Sequence, residues 1–145
     1  MMKKKMIEYQ IIAQYIKDLH FTIPNPKVFF SLSKDISKYK INVDIKSNQI
    51  KEKIIEVELN LFLKPTIEGL EQIKTKIVYS TIIEINGDVS DKAKLEKIIL
   101  VEVPDKIYPE VRKVFIFLFE NSGFKEIKID EKVDFDKLYS QRNLH

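Results

Sequence analysis

Residues 39–63 read YKINVDIKSNQIKEKIIEVELNLFL, and this stretch decides the fold class. Apolar and polar residues alternate with a period of two on both sides of residues 47–49, which we expect to form a turn. This period is typical of strands that bury one face. A connection this short predicts an antiparallel pair, since parallel neighbours need long crossovers. The apolar positions are Tyr39, Ile41, Val43, Ile45, Ile55, Val57, Leu59, Leu61 and Leu63.

Two further strands are predicted on either side of this pair. Leu19, Phe21 and Ile23 alternate with polar residues until Pro24, which cannot donate a hydrogen bond to a sheet. Residues 73–85 are rich in Ile, Thr, Val and Tyr, which favour strands. The sequence therefore predicts a four-stranded antiparallel meander over about residues 11–86.

The last third of the chain changes to a helical period. A short helix is expected after residue 90, and Pro109 is expected in the first turn of a longer one that Gly123 ends. A final short helix is expected from about Asp134. The predicted fold class is α+β, in one domain of residues 1–145 whose helical part covers about residues 90–142.

The longer helix is apolar on nearly all sides, so it needs cover on two sides. A single sheet covers one of them, and a second copy of the chain is the simplest cover for the other. The alternative is that the amino-terminal segment, or the loop that carries Phe29, folds over the helix within one chain. The expected oligomer interface comprises Val111, Val114, Phe115, Leu118 and Phe119.

Composition limits the classes of function. The chain has 145 residues, 44% of them hydrophobic, and no cysteine, which excludes disulfides and thiolate metal sites. It contains no apolar run of the roughly 20 residues that cross a bilayer, and the basic start MMKKKM lacks the rest of a signal peptide. We therefore expect a cytoplasmic protein that does not insert into membranes.

The net charge of +3 raises the question of nucleic-acid binding. Only Arg112 and Arg142 are arginines among 25 basic residues, and bidentate base or phosphate recognition requires arginine. An RNA-binding sheet with Tyr39 or Phe62 as stacking platforms is the alternative. Acids interleaved on the same sheet argue against it, so we expect no nucleic-acid partner; these acids are Asp44, Glu56 and Glu58.

The chain shows no constellation of catalytic residues. His20 and Asp18 share a strand face, but no third metal ligand accompanies them. Glu56 and Glu58 also share a face, and their alternation with apolar residues predicts a solvated surface. We expect no enzyme activity, no metal and no cofactor.

The remaining sequence feature that indicates a function is apolar surface. Val28, Phe29 and Phe30 follow Pro24-Asn25-Pro26 and are expected in a loop. Surplus apolar surface bordered by charge is typical of protein-binding sites. It could equally belong to an oligomer interface, or to a structural adaptor for one folded partner.

Three segments resemble the SecB family of protein-export chaperones. Residues 15–25, YIKDLHFTIPN, resemble that family's first strand and its Pro-Asn exit. Residues 104–112, PDKIYPEVR, resemble its helix entry, with Pro104, Pro109 and Arg112 in place. Residues 133–139, VDFDKLY, resemble the stretch near its last helix.

The resemblance implies a four-stranded antiparallel sheet with helices on one face, assembled as a dimer of dimers. It also implies ATP-independent binding of unfolded or nascent polypeptides in apolar grooves between the sheet, the crossover loop and the helices. Following the apolar faces and the resemblance, the expected client-binding residues are Val28, Phe29, Phe30, Tyr39, Ile41, Val43, Phe135, Leu138 and Tyr139.

The family's export members dock the SecA motor through acids on the exposed sheet. Asp18 matches one such position and is a candidate for motor docking, but Thr22 and Ile77 stand where two further acids are expected. These departures and the positive charge put docking to SecA in doubt. A stand-alone chaperone, or one that serves a partner such as an antitoxin, fits the sequence as well.

Overall fold

The computed structural model describes residues 8–87, 90–124 and 127–143, so the MMKKKM start lies outside the described residues. It contains one four-stranded antiparallel sheet in the order β1-β4-β3-β2, with helices packed on one side. The α+β fold class is confirmed. The strands are β1 (Glu8–Thr22), β2 (Tyr39–Lys51), β3 (Ile54–Pro65) and β4 (Lys74–Asn86). The helices are α1 (Pro26–Asp35), α2 (Lys92–Lys97), α3 (Val103–Asn121) and α4 (Phe135–Asn143).

The β2–β3 hairpin follows the predicted alternation. Val43 lies opposite Leu61 and Ile45 opposite Leu59, so the apolar positions of both strands face the helices. The turn predicted at residues 47–49 is wrong, because β2 continues to Lys51. The chain turns at Glu52-Lys53, where Lys53 has a φ of 65°. The polar residues 47–49 pair normally, because one face of this sheet is open to solvent.

Strand β1 differs from the predicted meander. It pairs with β4 and not with β2, so β1 and β2 form the two edges of the sheet. It also begins earlier than expected, and two β-bulges, between Ile11 and Ala13 and between Ile16 and Asp18, shift its register. Bulges of this kind turn side chains to the other face. The alternation of β1 is therefore interrupted in the middle of the strand and resumes near its end, at Leu19 and Phe21.

Helix α1 occupies the segment that was predicted to be a loop. Asn25 caps it, accepting a hydrogen bond at Oδ1 from the backbone N–H of Val28 at 2.9 Å, and Pro26 stands in its first turn. Asparagine as N-cap and proline at the first helical position are both favoured. The loop prediction for Val28 to Phe30 is therefore wrong, because Pro24-Asn25-Pro26 ends a strand and begins a helix.

The long helix begins earlier than predicted. Pro104 lies in the first turn of α3, and Pro109 lies inside the helix and not in its first turn. A π-helical segment, Ile98–Glu102, joins α2 to α3. An internal proline removes one helical hydrogen bond. Burial of the residues before it keeps this turn helical, since Ile107 and Tyr108 are both fully packed.

One face of α3 supplies the middle of the core. Residues at every fourth position are neighbours on a helix surface and form a stripe that winds slowly around it; this stripe is completely buried against the sheet and helices of the same chain. These are Val103, Ile107, Val111, Phe115 and Phe119. Three of the predicted interface residues, Val111, Phe115 and Phe119, are therefore core residues with no surface left for a second copy. Val114 and Leu118 are half-buried.

A left-handed glycine ends α3 as predicted. Gly123 has a φ of 96°, the backbone N–H of Phe124 donates to the carbonyl of Phe119 at 2.9 Å, and that of Gly123 donates to Glu120 at 3.3 Å. This pair of bonds is the Schellman arrangement. A Cβ added at Gly123 would lie 3.0 Å from the Phe29 ring. Glycine here ends the helix and also lets α1 pack closely.

Replacing Gly123 by alanine should therefore lower the free energy of unfolding by about 1–3 kcal/mol, because the positive φ is strained and the Phe29 ring must shift. Urea unfolding followed by circular dichroism measures this loss. Gly69→Ala is the control, since Gly69 also has a positive φ of 87° but its Cβ would meet nothing within 4 Å. Equal losses for the two variants would contradict the role of the Phe29 contact.

Candidate client-binding groove

Four of the predicted client-binding residues line one groove between an edge strand and the last helix. Two depressions, of about 220 and 410 Å³, adjoin there and share Val43 and Leu138 as lining residues. Ile41 lines the larger depression and Tyr139 the smaller. We define the β2–α4 groove by these four residues.

Helix α4 is held in place by α3 through the segment before it. The Tyr108 hydroxyl donates to the carbonyl of Asp130 at 2.6 Å, and Arg112 donates from Nε and Nη2 to the carbonyl of Ile129 at 3.2 and 3.0 Å. Burial raises the pKa of Tyr108. Helix α4 begins next to Asp134, as predicted, and Asp134 caps it by accepting a hydrogen bond from the N–H of Lys137 at 3.0 Å.

Phe135 and Tyr39 are structural and not part of the groove surface. Phe135 is 2% exposed and packs its ring against Tyr108, with centroids 6.1 Å apart. Tyr39 is 7% exposed, and its hydroxyl donates to the carbonyl of Glu71 at 2.6 Å. Both rings anchor segments inside the core, so neither lines the β2–α4 groove, and Tyr39 instead borders a depression beside the end of α1. The buried position of Tyr39 also removes it as an RNA-stacking platform.

The α1 residues lie apart from the groove. Phe29 is half-buried against Phe124, with ring centroids 5.1 Å apart, and Val28 is also half-buried. Phe30 is 70% exposed. Among the described residues, neither groove depression is lined by α1. A third depression of about 670 Å³ flanks the end of α1 and reaches Ile127.

Sequence reasoning missed part of the groove lining. Leu100 comes from the π-helical segment, and the chain before α4 contributes Asp130, Lys132 and Val133. Only Val133 carried a signal, its place in the VDFDKLY stretch. The charged lining residues are balanced, three acidic against three basic. They are Asp44, Asp130, Asp134, Lys132, Lys137 and Arg142.

The other side of the sheet carries Glu56, which is only 7% exposed, so the predicted solvated carboxylate is wrong. Ser80 Oγ donates to it at 2.7 Å, and Asn48, Tyr15 and Lys17 donate at 3.2 Å each. These donors come from the three other strands and cover the carboxylate. The Ser80 hydrogen bond is the main cause that lowers the pKa of Glu56 to about 2.

Asp18 lies on this same side and is half-exposed, with Oδ1 at 3.2 Å from Nε2 of His20. Thr22 is exposed at the end of β1. Ile77, aligned with a third docking position, is completely buried and faces the helices. Its side chain therefore does not reach the solvent side of the sheet.

Two structural findings concern metal sites and membranes. In residues 8–87, 90–124 and 127–143, no cluster of three or more His, Asp or Glu side chains is arranged to hold a metal ion. None of the described helices is long and apolar enough to cross a membrane.

Comparisons with known proteins find relatives that match nearly the whole length of this chain. A family model described as preprotein translocase subunit SecB matches residues 2–145. A SecB relative from Pelagibacter ubique is 41% identical over 134 residues, covering 92% of this chain and 96% of the relative. The protein-export protein SecB of Rhodospirillum rubrum is 30% identical, covering 91% of this chain and 80% of that protein.

A solved structure shares the fold. It is a SecB-like chaperone of Mycobacterium tuberculosis in complex with a peptide from an antitoxin. The TM-score is 0.52 at 9% identity, and the match covers 87% of this chain and 88% of the other. With the family match, the sheet order and the helix arrangement taken together, this chain belongs to the SecB family of protein-export chaperones.

Proposed function

We propose that this protein is an ATP-independent holdase that binds unfolded or nascent polypeptides in the β2–α4 groove. The observation that carries the proposal is an open groove at a sheet edge, in which the apolar side chains of Val43 and Leu138 line both depressions and equal numbers of acidic and basic side chains surround them. Burying one client leucine or phenylalanine there stabilises the complex by about 1.5–3 kcal/mol. Contacts of this size are weak singly and carry little sequence preference, as a holdase requires.

Helix α1 supplies a second apolar contact in this proposal. The exposed ring of Phe30 stands on a helix that is fixed by the fully buried Leu32 and by the Phe29–Phe124 contact. An unfolded chain that reaches both surfaces gains from multivalency. The peptide-bound relative from Mycobacterium tuberculosis supports polypeptides as the class of ligand.

The proposal includes assembly as a dimer of dimers. Large apolar side chains remain exposed on edge strand β1 and on the outer side of α3, where a second copy would cover them. They are Ile12, Tyr15, Ile16, Leu19 and Phe117. Half-buried Val114 and Leu118 are retained as interface candidates beside them. We also propose that the chain acts as one domain and works in the cytoplasm. Docking of SecA through Asp18 is not part of the proposal.

Light scattering of a chemically unfolded, aggregation-prone protein tests the function. Dilution into buffer that contains this protein and no nucleotide should suppress aggregation at about one oligomer per client, and added ATP should change nothing. Sedimentation of the same sample should give the mass of four chains. Unaltered aggregation beside a well-folded oligomer would contradict the holdase proposal and favour an adaptor for one folded partner.

A further inference from the structure

The solvent-facing side of the sheet, opposite the helices, carries a cluster of lysines around one aromatic ring. Lys76 lies directly across from Phe62 on the neighbouring strand, and Lys40 lies across from Lys64. Lys74 is two residues from Lys76 on the same strand and therefore shares its face. We define the lysine patch as Lys40, Lys64, Lys74 and Lys76 with Phe62.

The four lysines of the patch are not neutralised. All four are exposed, and within the described ranges none of them pairs with an acid. Lys17 on the same side differs, because it bridges Glu56 at 3.2 Å and Glu58 at 2.7 Å. Lys64 Nζ lies 5.5 Å from the centroid of the Phe62 ring. The patch therefore presents unpaired positive charge around a half-buried apolar centre.

The patch is small, and acids border it on one side. The next row of side chains across the sheet begins with Asp18 and ends with Asp44, on the two edge strands. Strands are about 4.8 Å apart, and side chains on one face repeat about every 7 Å along a strand. The patch thus spans roughly 10 by 7 Å across three strands. This area accommodates about three or four residues of an extended peptide.

We propose that the lysine patch docks a short acidic segment of a partner polypeptide, with one apolar side chain of that segment placed on Phe62. Charge complementarity carries the assignment, since four unpaired lysines favour a partner with several carboxylates. The inference does not rest on the proposed holdase activity. On β2, the β2–α4 groove is defined by the helix-facing side chains of Ile41 and Val43, whereas the patch uses Lys40 on the opposite face.

Size and geometry favour a polypeptide over RNA or an anionic membrane. A long polyanion that crosses the patch meets Asp18 and Asp44 in the next row, and these repel phosphates. A short acidic segment can bind the four ammonium groups without reaching either aspartate.

Fluorescence anisotropy tests the proposal with two labelled peptides, one of glutamates around a single phenylalanine and one with glutamines in their place. The wild-type protein should bind the acidic peptide in a salt-sensitive manner and bind the glutamine peptide at least about tenfold more weakly. The double variant Lys64→Glu/Lys74→Glu should weaken binding of the acidic peptide by about tenfold or more.

The control is Lys92→Glu/Lys113→Glu, which changes the net charge equally at exposed helix positions and should leave binding within about twofold of wild type. Both double variants should retain the melting temperature and the suppression of aggregation, which separates this proposal from the holdase function. Equal loss in both variants would overturn the patch as a site. So would patch-dependent binding of a uridine oligonucleotide or of phosphatidylglycerol vesicles without binding of the acidic peptide.

Discussion

Replacing Phe119 by alanine should lower the free energy of unfolding by about 3–5 kcal/mol. Its ring is completely buried and contacts three others, those of Phe21, Phe115 and Phe124, at centroid distances of 5.0, 5.1 and 5.8 Å. Truncation removes the transfer free energy of the ring and leaves a cavity where β1, α3 and the chain after α3 meet. Urea unfolding followed by circular dichroism gives the free energy directly.

Phe30→Ala is the matched control, since it removes the same ring from an exposed position. It should change the free energy of unfolding by about 0.5 kcal/mol or less. Comparing the two variants also shows whether Phe119 lies in the core of one chain or in the interface between chains. If Phe119→Ala keeps the stability of each chain but reduces the mass of the oligomer, the buried position of this ring is contradicted.

Replacing Leu138 by aspartate should weaken binding of an unfolded client by at least about tenfold. Leu138 is 40% exposed and lines both depressions of the β2–α4 groove. A client chain bound in either depression therefore contacts its side chain. A lost leucine contact of about 1.5–3 kcal/mol corresponds to about 10- to 150-fold in affinity. Titration of a labelled, permanently unfolded protein against the variant gives the dissociation constant.

Ile67→Asp is the control for Leu138→Asp, because Ile67 is also an exposed aliphatic residue but lies in the connection between β3 and β4. It should bind the client within about twofold of wild type, with the oligomer unchanged in both variants. Phe30→Asp measures the contribution of α1 separately. Normal binding by Leu138→Asp together with lost binding by Phe30→Asp would place the client on α1 and contradict the groove.

The strands were predictable because their signal is local. A period of two identifies the buried face of β3 without knowledge of what covers it, and Leu59 and Leu61 both lie where the alternation puts them. The ends of helices were equally predictable, as Gly123 and Asp134 show, because helix capping depends on a few neighbouring residues. The same local signal is present for α1 in Asn25-Pro26, but the apolar run that follows is also compatible with a loop.

The groove could be predicted only in part. Ile41, Val43, Leu138 and Tyr139 were selected from apolar faces and from the SecB resemblance, and they do lie together. Tyr39 and Phe135 were selected on the same grounds and are buried. An apolar side chain looks the same in sequence whether it lines a groove or fills the core. The difference depends on which distant segment covers it.

The sequence by itself determined the α+β class, the four strands, the faces of the β2–β3 hairpin and the family, because each depends on local periodicity or on segments that can be compared directly. Only the tertiary structure decided three further points. It placed β1 beside β4, enclosed Phe115 and Phe119 within one chain, and buried Glu56 under donors from three other strands. These outcomes depend on contacts between residues far apart in the chain, and no local pattern encodes such contacts.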